Sequence, residues 1–164
     1  EAVERNLEKY TTLMAILVGG GEPSYINSLE ETAKRLGIED RIRIIGQFVT
    51  KEEVRQYLAV ADVGIWPGMF SIATLEALAA GLPIIVRDKD DYSKALTSNN
   101  NGYMIPSRDI ESLTRCIADL AYDPQLRLDM GSRSRELAME EFNWASISRK
   151  LVNHYYKSTP QLTK

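Results

Sequence analysis

Residues 67–86 read PGMFSIATLEALAAGLPIIV. Pro67 and Gly68 open a tight turn, and a helix over 71–80 follows, with Ser71 at its start and Gly81 as its stop. The apolar strand 83–87, PIIVR, comes next, led by Pro83. Turn, helix and buried strand in this order form the repeating unit of a parallel sheet. The helix carries one carboxylate, Glu76. In so apolar a helix a lone carboxylate is costly unless it has a partner.

The same alternation extends in both directions. Upstream, LMAILV at 13–18 is an apolar run too short for a helix, and it ends in GGGE. Ser24 is placed to cap a helix with Ile26, Leu29, Ala33 and Leu36 on one face, ended by Gly37. RIRIIG at 41–46 is a strand, and Thr50 with Glu53 has capping-box spacing. ADVGIWP at 61–67 is a strand stopped by Pro67. Downstream, SNNNG makes a turn and YMIP a short last strand. Asp109, Asp123–Pro124 and Asn143 then open three helices. The reading is one α/β domain over 1–164, a doubly wound parallel sheet with an all-helical C-terminal third.

Composition excludes several functions. With 44% hydrophobic and 26% charged residues and a net charge of −3, the chain has no concentrated basic face for nucleic acid. The single cysteine, Cys116, permits no internal disulfide and sits beside the apolar positions of a helix, as a structural thiol does. One cysteine and one histidine, His154, do not make an ordinary zinc site. No apolar run reaches the ~18–20 residues of a membrane span, and no signal peptide opens the sequence, so a cytoplasmic context is expected.

Ligands of such sheets bind beyond the carboxyl ends of the strands. Three loops fall there: Gly19–Gly21, Gln47–Val49 and Pro67–Ser71. VGGGE can bring backbone N–H groups close to a phosphate, and a tight turn explains it equally; it is neither GxGxxG nor a P-loop. In PGMFSI the amides of Phe70, Ser71 and Ile72 point past a helix N-terminus, a ready anion site; an ordinary turn with Ser71 as N-cap fits as well. Glu76, about a turn and a half on, suits a ribose diol, or is simply an exposed helix residue.

LEALAAGLPIIV, preceded by ADVGIWPGMFS, resembles the signature segment of retaining glycosyltransferases of the GT-B fold. AILVGGGE, RIRIIGQFVTKEEVRQYLAVADV, NNGYMIPSRDIESLTRCIADLAYDPQLRLDMG and EEFNWASISRKLVNHY are similar to further family segments in the same order. The resemblance implies a C-terminal domain that binds the nucleotide-sugar donor. It makes Glu76 the second glutamate of a Glu–seven residues–Glu motif, holding the ribose. The turn Gly68–Met69–Phe70–Ser71–Ile72 would hold the distal phosphate, Phe48–Val49 would lie along the base, and Gly19, Gly20 and Gly21 would line the crevice. The position of the first, sugar-contacting glutamate is occupied by Gly68. Asp90–Asp91 stands for a family Gly-Gly pair and Lys94 for a glutamate, so Asp90 and Asp91 become candidate sugar contacts. The Asp-x-Asp of RDKDD also occurs in GT-A metal sites, but the surrounding segments fit GT-B, which implies no metal and no cofactor besides the donor substrate.

The family domain carries one more strand, central in the sheet, and a basic loop for the diphosphate. Residues 1–9 look like the end of the helix after it. The resemblance thus marks the chain as part of a larger enzyme, lacking its N-terminal acceptor domain and inactive alone. A gap in the sheet exposes two strand edges open to pairing with another chain. Trp144, Tyr155 and Tyr156 suit a membrane surface or packing against another domain equally. The expected activity is front-face transfer of a hexose from a nucleotide diphosphate with retention. The alternative is a non-catalytic nucleotide-binding or assembly module on the same scaffold.

Overall fold

The computed structural model describes residues 1–7 and 12–158. Helices and strands alternate: α1 (Ala2–Leu7), β1 (Ala15–Val18), α2 (Pro23–Arg35), β2 (Ile42–Ile45), α3 (Lys51–Val60), β3 (Gly64–Trp66), α4 (Ile72–Ala80), β4 (Ile84–Arg87) and α5 (Asp91–Leu96). Then come β5 (Gly102–Ile105), α6 (Ile110–Tyr122), α7 (Pro124–Glu141) and α8 (Trp144–Ser158). Of the N-terminal stretch read as a helix end, Glu8 and Lys9 lie outside the described residues.

The caps explain most boundaries. The Glu53 N–H donates to Thr50 Oγ1 at 3.2 Å, and the Thr50 N–H donates to Glu53 Oε2 at 2.7 Å. Asp109, Asp123 and Asn143 each accept a backbone N–H three residues on. Two expectations change. Helix α2 starts at Pro23 with Glu22 as N-cap, ahead of Ser24, because proline's fixed φ and missing N–H suit a first helical turn. Residues 91–96, where the sequence predicts no regular element, form α5, because the Asp90 carboxylate accepts the Ser93 N–H at 3.1 Å.

All strand pairs are parallel, but they form two sheets. Strand β1 pairs with β2, from Ala15↔Ile42 to Val18↔Ile45. Strand β4 lies between β3 and β5, with Trp66↔Val86 and Arg87↔Ile105 in register. Among the described residues no ladder joins β1 to β3, so each presents an open edge there, at the gap the resemblance implies. Ile16 on β1 is 43% exposed, whereas Ile84, Ile85 and Val86 on β4 are fully buried.

Alternation along β4 separates two cores. Ile84 and Val86 pack with Ala77 and Leu78 of α4 and Leu137 and Ala138 of α7. Ile85 packs on the other face with Ala2 of α1, Ile105, and Ile117 and Leu120 of α6. Leu13, just before β1, and Val63, just before β3, both border this second cluster. Cys116 is half-buried against it, and burial pushes its thiol above the ordinary range. Among the described residues, no helix is long and apolar enough to cross a membrane.

Candidate functional site

The carboxyl end of β3 runs directly into the turn that starts α4. Ser71 occupies the N-cap, and its backbone N–H donates to Thr74 Oγ1 at 3.3 Å. Thr74 itself is fully buried. The sequence reading offered three amides to an anion, and one of them, that of Ser71, is already engaged. The N–H groups of Phe70 and Ile72 have no acceptor among the described residues. They face the positive end of the α4 dipole, where an anion is favoured.

Aromatic packing holds the turn in place. The Phe70 ring meets Tyr92 of α5 edge-on, with centroids 5.4 Å apart and the rings at 68°. Phe70 also borders the core cluster of α4 and α7. Desolvation raises the Tyr92 phenol above its usual range, so it stays a neutral donor. Neither residue type nor spacing links positions 70 and 92, so this support has no signature along the chain. Met69 and Ile72, by contrast, are 78% and 77% exposed.

Glu76 is half-buried, and its carboxylate makes no hydrogen bond or ion pair with the described residues. Gly68 is exposed, and a Cβ built there meets nothing within 4 Å. Asp90 is occupied as the cap of α5, accepting from both the amide and the hydroxyl of Ser93. Asp91 pairs with Lys94 at 3.1 Å.

The other candidate loops meet at the end of the β1–β2 sheet. The Gly19 N–H donates to the Ile45 carbonyl at 3.1 Å, extending the ladder by one bond. The Phe48 ring lies against Gly20, where a Cβ would stand 2.9 Å from Phe48 Cε2. Phe48 is 92% exposed, while Val49 is half-buried. The three glycines, with Tyr25 and Ile26, line a shallow depression at the end of β1. The structure therefore joins Gly19–Gly21 to Phe48 at the end of one sheet and Pro67–Ile72 to Tyr92 at the end of the other.

One residue at this edge escaped the sequence reading. Arg87 ends β4, half-buried, and its Nε is sealed from solvent with no acceptor among the described residues. A charged residue closing an otherwise apolar strand at its carboxyl end was the available signal.

Comparison with known proteins bears on this arrangement. The family model described as "Glycosyl transferases group 1" matches residues 1–137. The chain is 28% identical over 148 residues to a GDP-mannose-dependent alpha-(1-6)-phosphatidylinositol monomannoside mannosyltransferase of Mycobacterium tuberculosis, covering 84% of this chain and 38% of that protein. It is 29% identical over 143 residues to the N-acetyl-alpha-D-glucosaminyl L-malate synthase of Bacillus anthracis, covering 85% and 35%. Sucrose-phosphate synthase from Thermosynechococcus elongatus superposes with a TM-score of 0.74 at 25% identity, over 87% of this chain and 37% of that one. HepE of Anabaena, solved in complex with UDP, superposes at 0.77 and shares the fold at 21% identity, over 95% and 44%. The chain thus spans less than half the length of these proteins.

Proposed function

The chain belongs to the Glycosyl transferases group 1 family, and from that premise we propose that it is the nucleotide-sugar donor-binding part of a hexosyltransferase that retains anomeric configuration. One observation carries the reading. Two free amides, of Phe70 and Ile72, stand at the start of α4, and an unpartnered carboxylate, Glu76, stands on the same helix. An anion-binding end beside a diol-binding acid matches a ribose diphosphate.

In this reading the amides hold the distal phosphate and stabilise the charge that develops on the leaving diphosphate. Glu76 accepts from the ribose hydroxyls, and Phe48 with Gly19–Gly21 lines the base side. No metal is needed to hold the diphosphate. Two resemblances support the donor class: the mannosyltransferase relative is GDP-mannose-dependent by name, and the HepE structure holds UDP. Gly68 favours a second reading, a nucleotide-binding module without transfer, because it supplies no side chain where a sugar-contacting glutamate is expected.

Calorimetric titration with UDP, GDP, ADP and their hexose derivatives tests the proposal, on this chain and on Glu76→Ala. One nucleotide should bind, and the variant should lose at least ~1 kcal/mol, the scale of a typical hydrogen bond and below that of a charged one. Absence of binding at millimolar concentration for every nucleotide would overturn the reading.

A further inference from the structure

The turn that begins α4 has few anchors. Of Pro67–Ile72 only Phe70 is withdrawn from solvent, and Gly68 brings no side chain. Ser71 is tied to Thr74, its N–H donating to the hydroxyl and its carbonyl accepting the Thr74 N–H. The amides of Phe70 and Ile72, left for an anion, lie on either side of that tie. Beyond it, the side chain that joins the turn to the body of the protein is the Phe70 ring. A turn held so lightly must be ordered when a ligand binds, and that ordering costs affinity.

The ring borders the cluster formed by α4, α7 and β4, and it meets Tyr92 edge-on at 5.4 Å. Tyr92 belongs to a segment fixed more firmly than the turn. Its neighbour Ser93 is fully buried, and the Ser93 hydroxyl accepts the N–H groups of Lys89 at 3.3 Å and Asp90 at 3.4 Å. The Asp90 carboxylate accepts the Ser93 N–H in return. Leu96, one turn on, is fully buried in the cluster that Phe70 borders, together with Ile84 and Val86. Helix α5 and the Phe70 turn thus lie on one face of β4. The Tyr92 hydroxyl has no hydrogen-bond partner among the described residues, so what the side chain offers here is its ring.

We propose that Tyr92 is a positioning residue of the donor site: its ring holds Phe70, and through Phe70 the turn, so that the Phe70 and Ile72 amides are in place for the distal phosphate before the donor arrives. This rests on the donor-site reading above. Tyr92 acts through Phe70, from a helix whose own cap and buried residues keep it still.

The test compares wild type with Tyr92→Ala, Tyr92→Leu and Tyr92→Phe, titrating UMP, GMP and AMP beside UDP, GDP and ADP. Each pair differs by the phosphate assigned to the turn. Tyr92→Ala and Tyr92→Leu should weaken the diphosphate by about tenfold, the effect of one hydrogen bond to an anion, and leave the monophosphate unchanged. Tyr92→Leu keeps apolar bulk, so the comparison stands even where Tyr92→Ala does not fold. Tyr92→Phe keeps the ring and should restore diphosphate binding. Nitrogen-relaxation order parameters of Met69–Ile72 in the free protein should fall in the two truncated variants and hold in Tyr92→Phe.

Equal diphosphate affinity in wild type and the truncated variants overturns the proposal and leaves the donor site standing. A loss shared equally by monophosphate and diphosphate assigns Tyr92 to the fold and overturns it too. A loss in Tyr92→Phe as large as in Tyr92→Leu puts the hydroxyl on the ligand, against a role through Phe70. Failure of wild type to bind any nucleotide overturns the donor site and the proposal together.

Discussion

Gly131 of α7 lies directly on the carbonyl of Gly81, the residue that ends α4. A Cβ built on Gly131 would stand 2.2 Å from that oxygen. Gly81 itself is left-handed, with φ of 80°, and its N–H returns to the Leu78 carbonyl. The helix carrying Glu76 is thus clamped at its C-terminus by a backbone-to-backbone contact. Gly131→Ala should push α7 from α4 and cost about 1–3 kcal/mol, as overpacking does. Urea unfolding measures it, and wild-type stability in the variant would contradict the clamp.

Gly68 offers the reverse case. Open space surrounds its Cβ direction, and its φ carries no glycine requirement. Gly68→Glu should leave stability within about 0.5 kcal/mol, as surface changes do. If the turn faces the donor sugar, the variant should bind the nucleotide sugar more tightly by about 1.5 kcal/mol, the scale of a charged hydrogen bond. Affinity for the free nucleotide should not rise, since a carboxylate beside the phosphate turn offers it only repulsion. Parallel titrations of the two ligands separate the effects.

Phe48 is too exposed to support the fold, yet its ring rests on Gly20. Phe48→Ala should therefore leave the thermal midpoint in place. Nucleotide affinity should fall by about 1 kcal/mol, the lower end of base–aromatic stacking. A drop in midpoint with intact affinity would make the ring a structural cover for the glycine loop.

Asp109 caps α6, and the Ser112 hydroxyl and amide hold its carboxyl below the ordinary range. Its folded pKa is depressed, so its contribution is present above the ordinary carboxylate range and is lost as pH falls through the lowered value. Asp109→Asn keeps a capping oxygen but removes the titration. The two proteins should differ in stability above about pH 4 and converge toward stronger acid. Denaturant titrations across that range check the slope.

Elements with a strong local signal were legible in the sequence. Apolar runs bounded by glycine and proline gave all five strands, and capping oxygens at Thr50, Asp109, Asp123 and Asn143 gave the starts of four helices. Helix α5 escaped because six residues show too little periodicity, and its cap, Asp90, read as a ligand. Within the site, Ser71 and Glu76 were visible as a cap and a lone acid. The engagement of the Ser71 amide by Thr74, the Phe70–Tyr92 contact and the orphaned Arg87 Nε were not. Each depends on which side chains tertiary packing brings together, a relation that spacing along the chain does not encode.

The division into two sheets has a dynamic consequence. Hydrogen bonds of β3–β5 are shielded by two apolar clusters, whereas β1–β2 shares no ladder with them among the described residues and presents Ile16, Leu17 and Val18 to solvent. Local opening of a segment is governed by how much burial it must give up. Amide protons of Ile16–Val18 should exchange with deuterium long before those of Ile84–Val86, in a sub-global event that leaves the larger sheet closed. The half of the proposed donor site formed by Gly19–Gly21 and Phe48 would then behave as its own cooperative unit, and a nucleotide bound across both halves would couple the two exchange rates.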